Sequence, residues 1–218
     1  MTAARRTQEE RRETTIRKLL DAATEALIED GYAAASVQNV CDRAGLSQGA
    51  LFRHFATREE LMVAVGHDVG QRTLARYRRE FEALSAKENP LELAIRLVRD
   101  RCRSRLNQAW YELAIAARTS PSLRKKLQPV AMQYWTDIVG LAAGLLPDLH
   151  AALGDRFPVL VSTIVAVFDG ESLHGFLLPN PGTEEARLEI LGVLAGAFAP
   201  GRNARGIARK GSRFSRGG

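Results

Sequence analysis

At 218 residues, with 45% hydrophobic and 26% charged side chains, the chain has the make-up of a globular protein and room for one or two cored domains. Its two cysteines, Cys41 and Cys102, are too few for a disulfide framework and point to a reduced, intracellular setting. No apolar leader opens the chain, and its longest nearly apolar run, 157–168, falls short of the roughly 20 residues a membrane span needs; a cytoplasmic protein with no membrane partner is expected.

The net charge of +6 is local. Arg202, Arg205, Arg209, Lys210, Arg213 and Arg216 lie in the tail 200–218, which has no acidic residue. Without those six, 25 Lys and Arg balance 25 Asp and Glu. Any nucleic-acid contact by the body must then rest on individually placed arginines.

In chain order, residues 1–13 interleave Arg5, Arg6, Arg11 and Arg12 with Glu9, Glu10 and Glu13. They read as a solvated helix extension, or as a basic arm toward phosphate or minor groove. Over 14–30, Ile16, Leu19, Leu20, Ala23 and Leu27 recur at helical spacing, and Gly31 closes the helix. Ser36 is a natural N-cap for a short helix whose stripe is Val37, Val40, Cys41 and Ala44. Gly45 turns the chain, Leu46 plugs the turn, and Ser47 caps a second helix. That helix carries Leu51, Phe52 and Phe55 for packing and Gln48, Gly49, Arg53 and His54 outward. Helix, glycine turn, helix is the layout of a DNA-reading helix-turn-helix.

A capping box, Thr57 with Glu60, opens a long helix to about 84. A polar break at 85–90 precedes helices over 91–107, 109–118 and 122–146, the last with Pro129 inside and Pro147 at its end. Two more follow over 155–178 and 184–198. No β-alternation is present, so the expected fold is all-α with about nine helices. The expected divisions are an arm 1–13, a head 14–56 continuing into a connecting helix 57–84, a ligand-binding and dimerisation domain 90–199, and a disordered basic tail 200–218.

The residues of the head resemble the tetracycline-repressor (TetR) family of bacterial regulators. The likeness runs from Thr14 through Gly31-Tyr32, the Ser36 cap, Ala44-Gly45-Leu46-Ser47, Gly49-x-Leu51-Phe52-x-His54-Phe55 and Thr57-Arg58-Glu59-Glu60-Leu61. Phe52 stands where the family usually has a tyrosine whose hydroxyl touches phosphate, and Arg58 where it usually has lysine. Looser likenesses to the family's regulatory half are Glu112-Leu113-x-x-Ala116-Ala117-Arg118-Thr119-x-Pro121 and 169–175. The resemblance implies operator DNA as partner, a phosphate contact at His54, ligands held between helices of the second half, and dimers that pair their last two helices.

Gln48 and Arg53 have the donors to read adenine and guanine edges, and Gly49 lets backbone approach DNA. Ser36 and Ser47 offer hydroxyls and helix N-termini to phosphate. With Val37, Gln38, Ala50, Phe52 and His54 these make the expected DNA-binding set. Trp110, Tyr111, Met132, Trp135 and Phe168, with Arg103, are candidates to line a pocket for an unidentified small-molecule effector, although aromatics at helical spacing serve equally as core. The last helix is apolar nearly all round, so a second copy of the chain is its natural cover. The expected seam is Phe168, Leu173, Phe176, Leu177, Leu188, Leu191, Leu194, Ala195 and Phe198.

Neither His54, His67, His150 nor His174 has metal-ligand spacing, and nucleophile and phosphate-loop motifs are missing; no catalytic residue, metal or cofactor is expected. The reading is a homodimeric transcriptional regulator, a repressor released from a palindromic operator by its effector, with the long helix after the head as lever. A DNA-bound structural or interaction protein without an effector is the alternative, and a helical enzyme the more distant one.

Overall fold

The computed structural model describes residues 7–84, 86–175, 177–178 and 181–197. They form ten α-helices and a 3-10 turn, without a strand among the described residues. Two compact units emerge: the described residues up to Arg76 together with Ser104–Asp137, and Tyr77–Arg103 together with Ile138 onward. The chain therefore passes between units at 76/77, 103/104 and 137/138. The long helix expected as the connection and lever shares the connecting role with two other crossings. The tail 200–218 lies outside the described residues.

The first unit is built on α1 (Gln8–Ala34), α2 (Val37–Ala44), α3 (Gln48–Phe52), the first part of α4 (Arg58–Leu84), α6 (Arg105–Thr119) and the first part of α7 (Pro121–Leu145). Helix α1 begins earlier than its apolar periodicity does. Thr7 accepts from Glu10 N and Glu10 Oε2 accepts from Thr7 N, so two free amide donors are satisfied before any apolar face is needed. Leu19, Ala23 and Leu27 bury one face completely against Val40, Leu51, Leu61, Met62, Val65 and Leu113. Each of the larger side chains contributes about 1.5–3 kcal/mol by leaving water.

Gly31 (φ 76, ψ 169) breaks α1 in a conformation open only to glycine. The Tyr32 N–H just beyond it donates to Glu112 of α6 at 3.0 Å. Arg105 of α6 reaches Glu25 at 2.5 Å and Glu29 at 2.8 Å on α1. Asp68 of α4, almost buried, accepts from Arg17 of α1 at 2.7 Å and from Arg72 at 3.3 Å. These links make α6, with the residues that resemble the family's regulatory half, part of the head's own unit.

The second unit holds the end of α4, α5 (Pro90–Cys102), the end of α7, α8 (Pro147–Leu153), a 3-10 turn (Gly154–Arg156), α9 (Phe157–His174) and α10 (Pro181–Gly196). The helix expected over 91–107 stops at Cys102, because Ser104 caps a new one by accepting from Asn107 N. Pro147, expected only to end a helix, also occupies the first turn of α8, where its missing N–H costs nothing. Ile95, Ile164, Phe168, Leu191 and Ala195 form one core, and Phe81, Leu93, Ala94 and Leu97 a second. The Glu171 carboxylate is buried with Arg99, which donates from Nε at 3.0 Å, and it also accepts from Arg187. Cys41 and Cys102 are free thiols buried in different units.

By length and composition, Pro147–His174 (28 residues, hydropathy 1.6) is enough to cross a membrane, a longer apolar stretch than 157–168 alone. It is two helices, α8 and α9, joined through the turn at Gly154 (φ 51).

Candidate nucleic-acid interface

The turn between α2 and α3 is held at both ends by local bonds. Ser36 Oγ accepts from Asn39 N at 3.1 Å and Ser47 Oγ from Ala50 N at 3.2 Å. At the end of α2, Gly45 (φ 64) donates to Asp42 O and Leu46 N to Cys41 O, the paired closing bonds of a left-handed cap. Both serine hydroxyls spend their acceptor side on the caps and keep their hydrogens to donate.

Val40, Cys41 and Leu51 turn inward, and Val37, Ala44, Leu46 and Phe55 pack against the same core. Ser36, Gln38, Ser47, Gln48, Gly49, Phe52 and Arg53 are exposed, while Val37, Ala50 and His54 are half-buried. Phe52 is 47% exposed and belongs to this outer face, contrary to the packing role expected for it; Leu51 and Phe55 take that role. Helix α3 also ends sooner than expected, at Phe52, and Arg53 caps it with its Nε on Gly49 O at 3.3 Å.

The arginines sort by task. Arg58 donates from Nε to Ala35 O at 2.8 Å and from its terminal nitrogen to Tyr32 O, and it lies 4.2 Å over the Tyr32 ring. It fastens the start of α4 to the chain that leads into α2. Arg43 bonds Asn39, Glu29 and Asp30 at 2.6–2.8 Å. Bonds from Arg43 and Arg105 hold the Glu29 carboxyl below its usual range, and Asn39 followed by Arg43 does the same for Asp30. Arg53, by contrast, presents an exposed guanidinium beyond α3.

A chain of amides crosses the turn. Gln38 Nε2 donates to Asp42 Oδ1 at 2.6 Å, and Gln48 Nε2 donates to Gln38 Oε1 at 2.6 Å. Asp42 was absent from the expected set, although its position four residues after Gln38 was a readable signal.

The residues expected to line a pocket fall into different units. Trp110, Tyr111, Met132 and Trp135 lie in the first, where Trp110 meets Tyr134 edge-on at 5.3 Å and Met132 is exposed. Arg103 and Phe168 lie in the second; Arg103 is 3.6 Å from Glu171, and Phe168 is fully buried core. A cavity of about 50 Å³ in the second unit is lined instead by Tyr77, Leu91, Ala94, Ile95, Val98, Ala142, Leu146, Leu149, Phe157, Leu160, Val161 and Ile164. The Tyr77 hydroxyl donates to Ala94 O at 3.0 Å, and burial pushes its pKa up.

The expected dimer seam is divided likewise. Phe168, Leu191 and Ala195 are core of their own chain and so are no part of a surface; Leu173 and Leu188 are half-buried; Leu177 and Leu194 are exposed. Phe176 and Phe198 lie outside the described residues. On α10 the outward apolar stripe is Ile190, Val193 and Leu194, with the exposed Ala197 just past the helix end, on the face opposite the core.

Among the described residues every element is helical, and the capped pair α2–α3 with its polar face outward has the layout of a helix-turn-helix. Residues 19–65 match the family described as bacterial regulatory proteins, tetR family. An uncharacterised HTH-type transcriptional regulator of Mycobacterium tuberculosis is 39% identical over 189 residues, covering 87% of this chain and 96% of that one. A solved member of the TetR family from Streptomyces coelicolor A3 is 27% identical with a TM-score of 0.61, over 83% of this chain and 97% of that one. The multidrug binding protein EbrR, solved with ethidium, is 27% identical with a TM-score of 0.62, over 83% and 98%. The chain belongs to the TetR family of transcriptional regulators, and it is a DNA-binding regulator of transcription. Its relatives are regulators and not enzymes. No group of three His, Cys, Asp or Glu able to hold a metal occurs among the described residues.

Proposed function

We propose that this regulator is a homodimeric repressor that leaves a palindromic operator when a small molecule binds. The observation that carries the reading is the outer face of α2 and α3, where Gln38, Gln48, Gly49 and Arg53 stand exposed on helices anchored by Val40 and Leu51. Gln48 has the groups to bond adenine, and Arg53 those to bond guanine, in a major groove. Ser36, Ser47 and His54 flank them as phosphate contacts that set orientation. Phe52 offers only an apolar edge, which suits a thymine methyl better than a phosphate.

The apolar stripe of α10, with Val159 of α9 also exposed, supports a second copy as partner. Two heads held by such a seam would meet half-sites about 34–36 Å apart, or multiples of that. The wall of the cavity, apolar but for one phenol, supports an uncharged, apolar effector whose entry must widen a space of about 50 Å³; the relative EbrR, solved with the organic cation ethidium, supports small-molecule binding but not that charge state. Release requires only that the effector favour one of two states, typically by about 1–3 kcal/mol.

The test is footprinting of genomic fragments retained by the full-length protein. An inverted repeat protected over both half-sites is expected. Protection without two-fold symmetry would remove the dimeric operator. Uncharged apolar compounds that raise the melting temperature are then titrated against the repeat. Those that stabilise the protein without lowering its DNA affinity are not effectors.

A further inference from the structure

Asp42 is an oddity on a helix that crosses a DNA backbone, because its charge repels phosphate. The amide chain supplies a reason for it. A carboxylate can only accept hydrogen bonds, so Gln38 must turn its NH2 group to Asp42, and it does, at 2.6 Å. The oxygen of Gln38 then faces the other way and can only accept, which draws the NH2 group of Gln48 to it at 2.6 Å. One N–H of Gln48 is committed by this bond. Its second N–H and its Oε1 remain, a donor beside an acceptor, which is the pair that N7 and N6 of adenine require.

Reversing the chain would leave Gln48 accepting from Gln38 with both of its N–H groups outward, the pattern suited to O6 and N7 of guanine. An amide alone has no preference between these directions. The carboxylate at the far end decides, and it also holds two flexible, exposed side chains in place before DNA arrives, which lowers the entropy lost on binding.

We propose that Asp42 is a positioning residue for base recognition: through Gln38 it sets the direction of the Gln48 amide and so specifies adenine. This rests on the DNA-reading role proposed above for Gln48. The substitutions also separate two effects of the carboxylate. Removing its charge strengthens binding to every sequence, whereas removing its direction alters preference at one base pair.

The experiment selects duplexes from a randomised library with full-length protein, then measures affinity for single-base variants of the winning sequence. The wild type should require adenine at one position in each half-site, and Gln48→Ala should lose that requirement alone. Asp42→Asn, which keeps shape but accepts either amide direction, and Asp42→Ala should lower the adenine preference at that position about ten-fold. Preferences elsewhere should hold and affinity for random DNA should rise. Asp42→Glu, still acceptor-only, should retain the preference. In the Gln48→Ala background, Asp42→Asn should change all sequences equally.

An unchanged adenine preference in Asp42→Asn, an equal blurring of every position, or guanine at the position that depends on Gln48 would overturn the proposal while leaving operator binding intact. A wild-type protein that enriches no sequence would remove sequence reading itself. Far-ultraviolet circular dichroism of Asp42→Asn separates loss of the helices from loss of preference.

Discussion

The two compact units handle their surfaces in opposite ways. In the first, charges are paired across helices at the surface, Arg105 with Glu25 and Glu29 and Arg43 with Asp30, and only a few large apolar side chains, Phe52, Ile115 and Met132 among the described residues, are left outside. In the second, a charged pair, Arg99 and Glu171, is buried, while Val159, Leu177, Leu178, Ile190, Val193 and Leu194 are left at the surface. The first unit thus presents mostly polar groups, as suits a polar partner. The second spends its interior on a charged lock and keeps apolar area outside, which is the condition of a surface made to be covered.

The strongest way to break that contrast is to open the lock. Glu171→Ala should cost about 3–5 kcal/mol, since it leaves Arg99 buried without its main counter-charge. Urea denaturation measures this, and a loss below about 1 kcal/mol would mean that Arg99 escapes to water. Phe52→Ala, a larger truncation at the exposed face of the first unit, should stay within about 0.5 kcal/mol in the same assay.

Within the first unit, Gly31→Ala should cost roughly 1–3 kcal/mol, because its φ of 76 is strained for any residue with a Cβ. The added carbon would also meet Glu112 Oε2 at 3.2 Å. A melting temperature equal to that of the wild type would show that the break in α1 relaxes freely.

The exposed guanidinium of Arg53 sharpens the polar side of the comparison. Arg53→Ala should weaken specific DNA binding by about 1–3 kcal/mol if the side chain reads guanine in two bonds. Titrations on selected and scrambled duplexes that show equal losses would reduce it to a phosphate contact. On the apolar side, Val193→Glu should yield folded monomers in sedimentation, whereas Leu191→Glu, in the core, should yield unfolded protein. A Val193→Glu dimer as tight as the wild type would place the seam elsewhere.

The smallest expected effect is with pH. Burial raises the Glu171 carboxyl, but bonds from Arg187 and Arg99 outweigh it and leave the group below its ordinary value of 4.5. A depressed carboxylate contributes stability that is present above the unfolded value and lost as pH falls through the folded one. Denaturation midpoints should therefore decline below about pH 4.5, and Glu171→Gln should flatten part of that decline. An identical slope in the variant would assign the acid sensitivity to other groups.

What the sequence determined by itself was whatever local chemistry decides. The caps at Ser36 and Ser47, the left-handed Gly45, the inward stripe of α2 and the helical class of the whole chain follow from neighbours within about four residues. Their bonds close inside one turn, so their signals are written in short spacings. That α10 is apolar on nearly all its faces was legible as well.

Which of those faces was core was not legible. Leu191 and Ala195 differ from Val193 and Leu194 only in what lies across from them, and α5 and α9 decided that. The same holds for Arg99 with Glu171 and for Tyr32 with Glu112, pairs separated by 72 and 80 residues. Ser104 escaped notice because a mid-chain serine caps a helix only where the preceding one has been made to stop. The Gln38–Asp42 bond follows a helical spacing, but its extension to Gln48 depends on the angle at which two helices meet. Spacing fixes contacts along a helix; contacts between helices exist only once the core has set their packing.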